Sequence, residues 1–121
     1  MYFKKLHLKG AYIIKMKPHL DKRGYFSRMF CKNEFKKRGL AEEFVQISSS
    51  FNTKKGQIRG MHYQKKPYEE TKLVKCVRGS LIDVIVDLRE NSSTYMKWHS
   101  EKLTADDYKM IYVPKGFAHG Y

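Results

Sequence analysis

Arg59-Gly60-Met61-His62-Tyr63-Gln64, Lys72 shortly after, and His119 near the end place an imidazole, two cations and a second imidazole in short segments of one chain. The set suits removal of a proton from a carbon beside a carbonyl, on a substrate that carries negative charge. A largely neutral imidazole takes the proton, and a fixed ammonium is worth most where charge develops on oxygen. Taken singly, each residue also has a plainer reading. Arg59 and His62 are three apart and would face opposite sides of an unbroken strand. Gly60 between them offers a bulge that would turn both to one side. Lys72 heads an apolar run (Leu73, Val74, Cys76), where an inward ammonium needs an anion and a strand-end lysine reaches solvent. Asp83 either orients Arg59 or Lys72 or is solvated. His119 lies in what reads as a flexible apolar loop. His62 is followed by Tyr63 and Gln64, with no His-x-His pair or carboxylate ligand, so neither a metal nor a cofactor is expected.

The elements that must position these groups read as strands. Residues 11–16, 24–30, 44–48, 57–64 and 109–113 carry β-branched, aromatic or alternating patterns. Residues 72–77 and 80–88 suggest a hairpin closed by Arg78-Gly79. Within the latter, Ile82, Val84, Val86 and Leu88 form an entirely apolar face. Leu81, Asp83, Ile85 and Asp87 form a mixed one, suited to lining a wet cavity. Helix is confined to residues 33–38, capped by Asn33 and stopped by Gly39. Residues 104–107 read as a capped turn before the strand at 109–113. The expectation is an all-β, jelly-roll sandwich or barrel forming one domain over residues 1–121.

The net charge of +13 draws anions. The lysines are scattered and no nucleic-acid-binding motif accompanies them, so a solvated basic surface is preferred to a nucleic-acid footprint. No apolar run reaches the length of a membrane span, no secretory leader is evident, and Cys31 and Cys76 read as reduced thiols. A cytoplasmic protein with no membrane partner is the expectation.

Ordered blocks run through nearly the whole chain: 21–26, 44–46, 55–64, 72–79, 83–89, 93–95 and 112–120. Together they resemble the dTDP-4-dehydrorhamnose 3,5-epimerases, sugar-nucleotide isomerases of the cupin class. The resemblance implies a cupin-like jelly roll and a metal-free reaction on a dTDP-linked 4-keto-6-deoxy sugar. His62 would be the base and Lys72 the enolate-stabilising cation. Arg59, His119, Arg23, Gln46 and Phe26 would hold the substrate. Ser48 stands where the family usually has asparagine, and Arg28 where many members are acidic. The resemblance also implies a homodimer, and a tyrosine acid and an aspartate partner of the base that lie beyond Tyr121. A chain without those two groups has a second reading, a remnant that binds nucleotide sugar or pairs with an intact relative.

Overall fold

The computed structural model describes residues 1–121. In chain order the elements are β1 (Tyr2–Lys5), β2 (Tyr12–Lys15), β3 (His19–Asp21), β4 (Gly24–Phe26), α1 (Lys32–Lys36), β5 (Lys72–Val74), β6 (Ser80–Asp87), β7 (Trp98–Thr104), β8 (Lys109–Val113) and β9 (Phe117–Gly120). One sheet has the order β1-β2-β8-β5, a second β7-β6-β9, and β3-β4 is a separate hairpin. Every pairing is antiparallel. The architecture is the expected all-β sandwich of the jelly-roll kind, with its sheets open rather than closed into a barrel. No helix is long and apolar enough to cross a membrane.

Two apolar clusters hold the layers. Ile13, Ile111 and Val113 of the first sheet, with Leu8 and Ala11, meet Ile85, Leu103 and Phe117 of the second. On the other side, Ile14, Met110 and Tyr112 pack against Phe35 of α1, with Met16 and Leu40. β8 is therefore covered on both faces, which is why residues 110–113 form a continuous apolar run instead of alternating. The helix starts before the expected position: Cys31 stands at its N-cap without a side-chain bond, and Asn33 lies inside it. The Met1 ammonium, 3.0 Å from Glu34, ties that first turn to the N-terminus.

Several expected strands fall short. The 24–30 segment is a strand only to Phe26, and residues 44–48 are irregular, with Val45 and Ile47 more than 90 % exposed. An alternating pattern becomes a strand only where a neighbouring edge supplies hydrogen bonds, and none is offered to this segment here. The 72–77 segment ends as a strand at Val74 and pairs with β8, not β6, so the expected hairpin does not exist. Instead Gly79, at φ 72°, turns the chain from one sheet into the other, and the Cys76 thiol donates to the carbonyls of Arg78 and Gly79 at that corner.

The faces of β6 differ from expectation: the mixed face is packed, not lining a wet cavity, and the apolar face is partly exposed. Asp83, Ile85 and Asp87 are buried, while Ile82 is 54 % exposed. The mixed face turns inward because its carboxylates find donors there. Around Asp87, Arg89 gives two side-chain N–H groups and its backbone N–H, and the Ser92 and Thr94 hydroxyls add two more bonds. Burial alone would push this carboxyl up; the bonds from Arg89, Ser92 and Thr94 outweigh it and hold it well below the usual carboxylate range. A carboxyl depressed in the folded state stabilises fully above its unfolded pKa, near ~3.9, and loses that contribution as pH falls toward the folded value. Asp87→Asn is therefore expected to be clearly less stable than the parent at neutral pH. In urea unfolding the gap should narrow steadily below pH ~4; a constant gap would contradict the network's role.

Candidate active site

The site is built on β9 and on the chain that runs beside it. His62 and His119 exchange both backbone hydrogen bonds, at 2.8 and 2.9 Å, and so do Arg59 and Tyr121, at 2.7 and 2.9 Å. Between these pairs Gly60 and Met61 stand opposite Gly120 alone, which is a bulge. Directly paired residues share a face, and His119 and Tyr121 are two apart. Arg59, His62, His119 and Tyr121 therefore lie on one side of the ladder. The strand expected over residues 57–64 is reduced to this short ladder, and the bulge foreseen at Gly60 is what aligns its side chains.

Gly60 has φ 119°, and a Cβ there would lie 2.6 Å from Gly120 Cα and 2.9 Å from the His119 carbonyl oxygen. The two glycine backbones touch, so Gly60 tolerates no side chain.

His119 is not in a loop. It lies in β9, buried and paired with Ile85 of β6. Its Nε2–H donates to Asp83 Oδ2 at 2.8 Å, between side chains that are 8 % and 0 % exposed. Asp83 thus orients His119, not Arg59 or Lys72, and its Oδ1 is buried with no partner. Asp83→Ala would strand a buried imidazole donor, and a loss of about 1–3 kcal/mol is expected in chemical unfolding. Unchanged stability would show that the pair does not hold His119.

Lys72 reaches the same space from the other sheet. It pairs with Val113, and Val74 with Ile111, so all four face the inter-sheet core that also contains Ile85 and Phe117. His119 follows Phe117 by two residues and shares its face. The ammonium of Lys72 meets Glu70 at 3.1 Å. That carboxylate is the anion an inward lysine requires, and its place two residues before the strand was the only sequence signal for it. The fold thus turns His62, His119 and Arg59, along β9, and Lys72, on β5 of the facing sheet, toward the space between the sheets, where His62 stays open to solvent.

The remaining candidates stand apart. Arg23 and Phe26 are on the exposed β3-β4 hairpin, where the Arg23 guanidinium is bound to Asp21 at 2.6 Å. That hairpin touches the sandwich through Tyr25, whose ring meets Tyr108. Gln46 and Ser48 are exposed in the irregular 44–58 segment. Two further groups at the ladder escaped sequence reasoning. Asn52 Oδ1 accepts from Arg59 Nε at 2.6 Å, and the Tyr121 hydroxyl bonds Ser50. Neither carries a spacing signal: Asn52 and Arg59 lie seven apart in an irregular segment, and Ser50 and Tyr121 lie seventy-one apart.

The family profile for dTDP-4-dehydrorhamnose 3,5-epimerase matches residues 5–121. The chain belongs to this epimerase family. A dTDP-4-dehydrorhamnose 3,5-epimerase of Sinorhizobium fredii is 40 % identical over 121 residues, covering 100 % of this chain and 62 % of the relative. One from Methanothermobacter thermautotrophicus is 42 % identical over 120 residues, covering 98 % and 63 %. Among solved structures, the Bacillus anthracis epimerase with TDP and PPi bound superposes with a TM-score of 0.94 at 37 % identity, covering 98 % of this chain and 68 % of that one. The Legionella pneumophila epimerase in complex with dTDP-4-keto-L-rhamnose gives 0.87 at 33 %, covering 98 % and 63 %. The chain spans a little over three-fifths of the length of these two curated epimerases, 62 % and 63 %.

Proposed function

We propose that the protein acts in epimerising C3 and C5 of a dTDP-linked 4-keto-6-deoxyhexose, as a step in making deoxysugars of the rhamnose type. The observation that supports this reading is that His62 and His119, from the β9 side, and Lys72, from β5 of the facing sheet, are all turned toward the inter-sheet space in a chain of this family. In the reaction His62 takes a proton from the carbon beside the C4 ketone. The C–H electron pair moves into the new C=C bond while the carbonyl pair moves onto oxygen, giving an enolate. Lys72 stabilises that oxygen, where a preplaced cation acts without reorganising. As the oxygen pair re-forms the C=O and the C=C pair takes up a proton from solvent on the opposite face, the carbon is inverted and the ketone restored, while the proton held on His62 passes to solvent.

Arg59 and His119 hold the sugar nucleotide; the family resemblance adds Arg23, Phe26, Gln46 and Ser48 to the binding set, although this chain places them apart from that space. The dTDP moiety is supported by the ligands of the Bacillus anthracis and Legionella pneumophila relatives. The reading includes a homodimer, as the family resemblance implies, and sedimentation of the purified chain tests that part.

Solvent exchange tests the chemistry. In D₂O with dTDP-4-keto-6-deoxyglucose, deuterium is expected to enter at C3 and C5, followed by NMR. A folded chain that binds dTDP and yet exchanges neither proton would sink the proposal.

A further inference from the structure

The irregular segment that crosses the end of the ladder makes three side-chain contacts with it. Ser50 bonds the Tyr121 hydroxyl, the Phe51 carbonyl accepts from Arg59 Nη2 at 3.0 Å, and Asn52 Oδ1 accepts from Arg59 Nε at 2.6 Å. The Arg59 side chain is exposed and makes no ion pair. Its orientation therefore depends on those two acceptors. They occupy the edge of the guanidinium formed by Nε–H and one Nη2–H. The other edge, shared by Nη1 and Nη2, is left free, and it is a fork suited to two oxygens of one phosphoryl group.

We propose that Asn52 is a positioning residue, which fixes the Arg59 guanidinium so that its free edge meets the diphosphate of the bound nucleotide. The role rests on the functional reading given above. An unheld arginine must lose its side-chain freedom when the ligand arrives; one already clamped by Asn52 has lost it beforehand. The Ser50–Tyr121 bond anchors the segment on its other side, so the clamp is fixed to the strand that carries His119.

The test measures dTDP binding by calorimetry to the full chain and to Asn52→Ala, Asn52→Asp, Arg59→Ala and the Asn52→Ala/Arg59→Ala pair. Loss of the clamp is expected to weaken dTDP by about fivefold to tenfold, the ordering cost of one long side chain. Asn52→Asp keeps an acceptor oxygen and should recover most of the affinity. Because Asn52 acts through Arg59, Asn52→Ala should weaken binding no further once Arg59 has been replaced by alanine. The Arg59 Nε–H proton resonance, slow to exchange in the parent, should be lost in Asn52→Ala and retained in Asn52→Asp.

Equal losses from Asn52→Ala in the parent and in the Arg59→Ala background would overturn the role and leave Asn52 structural. So would a parent that binds dTDP and an Asn52→Ala chain that binds it equally. A parent chain that takes up no dTDP would overturn the reading of the site itself, and the role with it. The arginine resonance separates that case, because it reports the clamp without ligand.

Discussion

Replacing His62 with alanine is expected to lower deuterium entry at C3 and C5 by about 10²–10⁴-fold, the range for loss of a positioned general base. The loss should appear in the exchange rate at saturating substrate rather than in dTDP affinity, because in the proposed reaction the imidazole acts on the sugar carbons and Arg59 holds the nucleotide. The backbone of His62 is fixed by its two bonds to His119, and alanine leaves those bonds in place. The variant should therefore unfold at nearly the parent's temperature. An exchange rate within a few-fold of the parent would remove His62 from the chemistry.

Lys72→Met should slow the same exchange by about 10²–10³-fold, the usual cost of removing one group aimed at developing negative charge. Methionine keeps the length and apolar stem, so packing beside Val113 survives. The pair broken is the partly exposed Lys72–Glu70 contact. Such pairs contribute roughly 0–1 kcal/mol, and little stability is at stake. Affinity for dTDP should change little, since the proposed reaction gives the ammonium the sugar's enolate oxygen and gives Arg59 the nucleotide. A variant that loses dTDP affinity but keeps its exchange rate would reassign Lys72 from the enolate to the nucleotide. The two substitutions act on one step, so combining them should cost less than the product of their separate effects.

Much of this arrangement was legible in the sequence. The all-β architecture, the strand at β6, the turn before β8 and the bulge at Gly60 all follow from residue types and spacing. The burial of the mixed face of β6 did not, because Asp83 and Asp87 read as lining a wet cavity rather than a packed interior. What turns the carboxylates inward is a set of donors that follow no strand period: the distant His119 for Asp83, and Arg89, Ser92 and Thr94 of the following turn for Asp87. The same non-local logic hid β9, whose Gly-rich sequence suggests a loop until β6 and the His62 segment pair with its two edges. Residues 44–48 fail in the opposite sense: Val45, Gln46, Ile47 and Ser48 alternate as a strand should, and no edge receives them. Asn52 and Glu70 lay outside any motif. Their contacts are local, but both residues lie in irregular chain, where no strand or helix period marks them.

The surplus residue between the Arg59 and His62 rungs makes parity at this site a property of space rather than of sequence. Counted along the chain the two residues have odd separation; counted along β9, Tyr121 and His119 have even separation, and the ladder follows β9. A one-residue deletion there, Met61 for instance, would remove the excess while leaving both side chains on their present face. The milder-looking change, a methyl group added at Gly60, cannot be absorbed, because the Gly120 backbone already occupies the space it needs. For the directions in which Arg59 and His62 point, shortening the segment is the conservative edit and lengthening one side chain is the radical one.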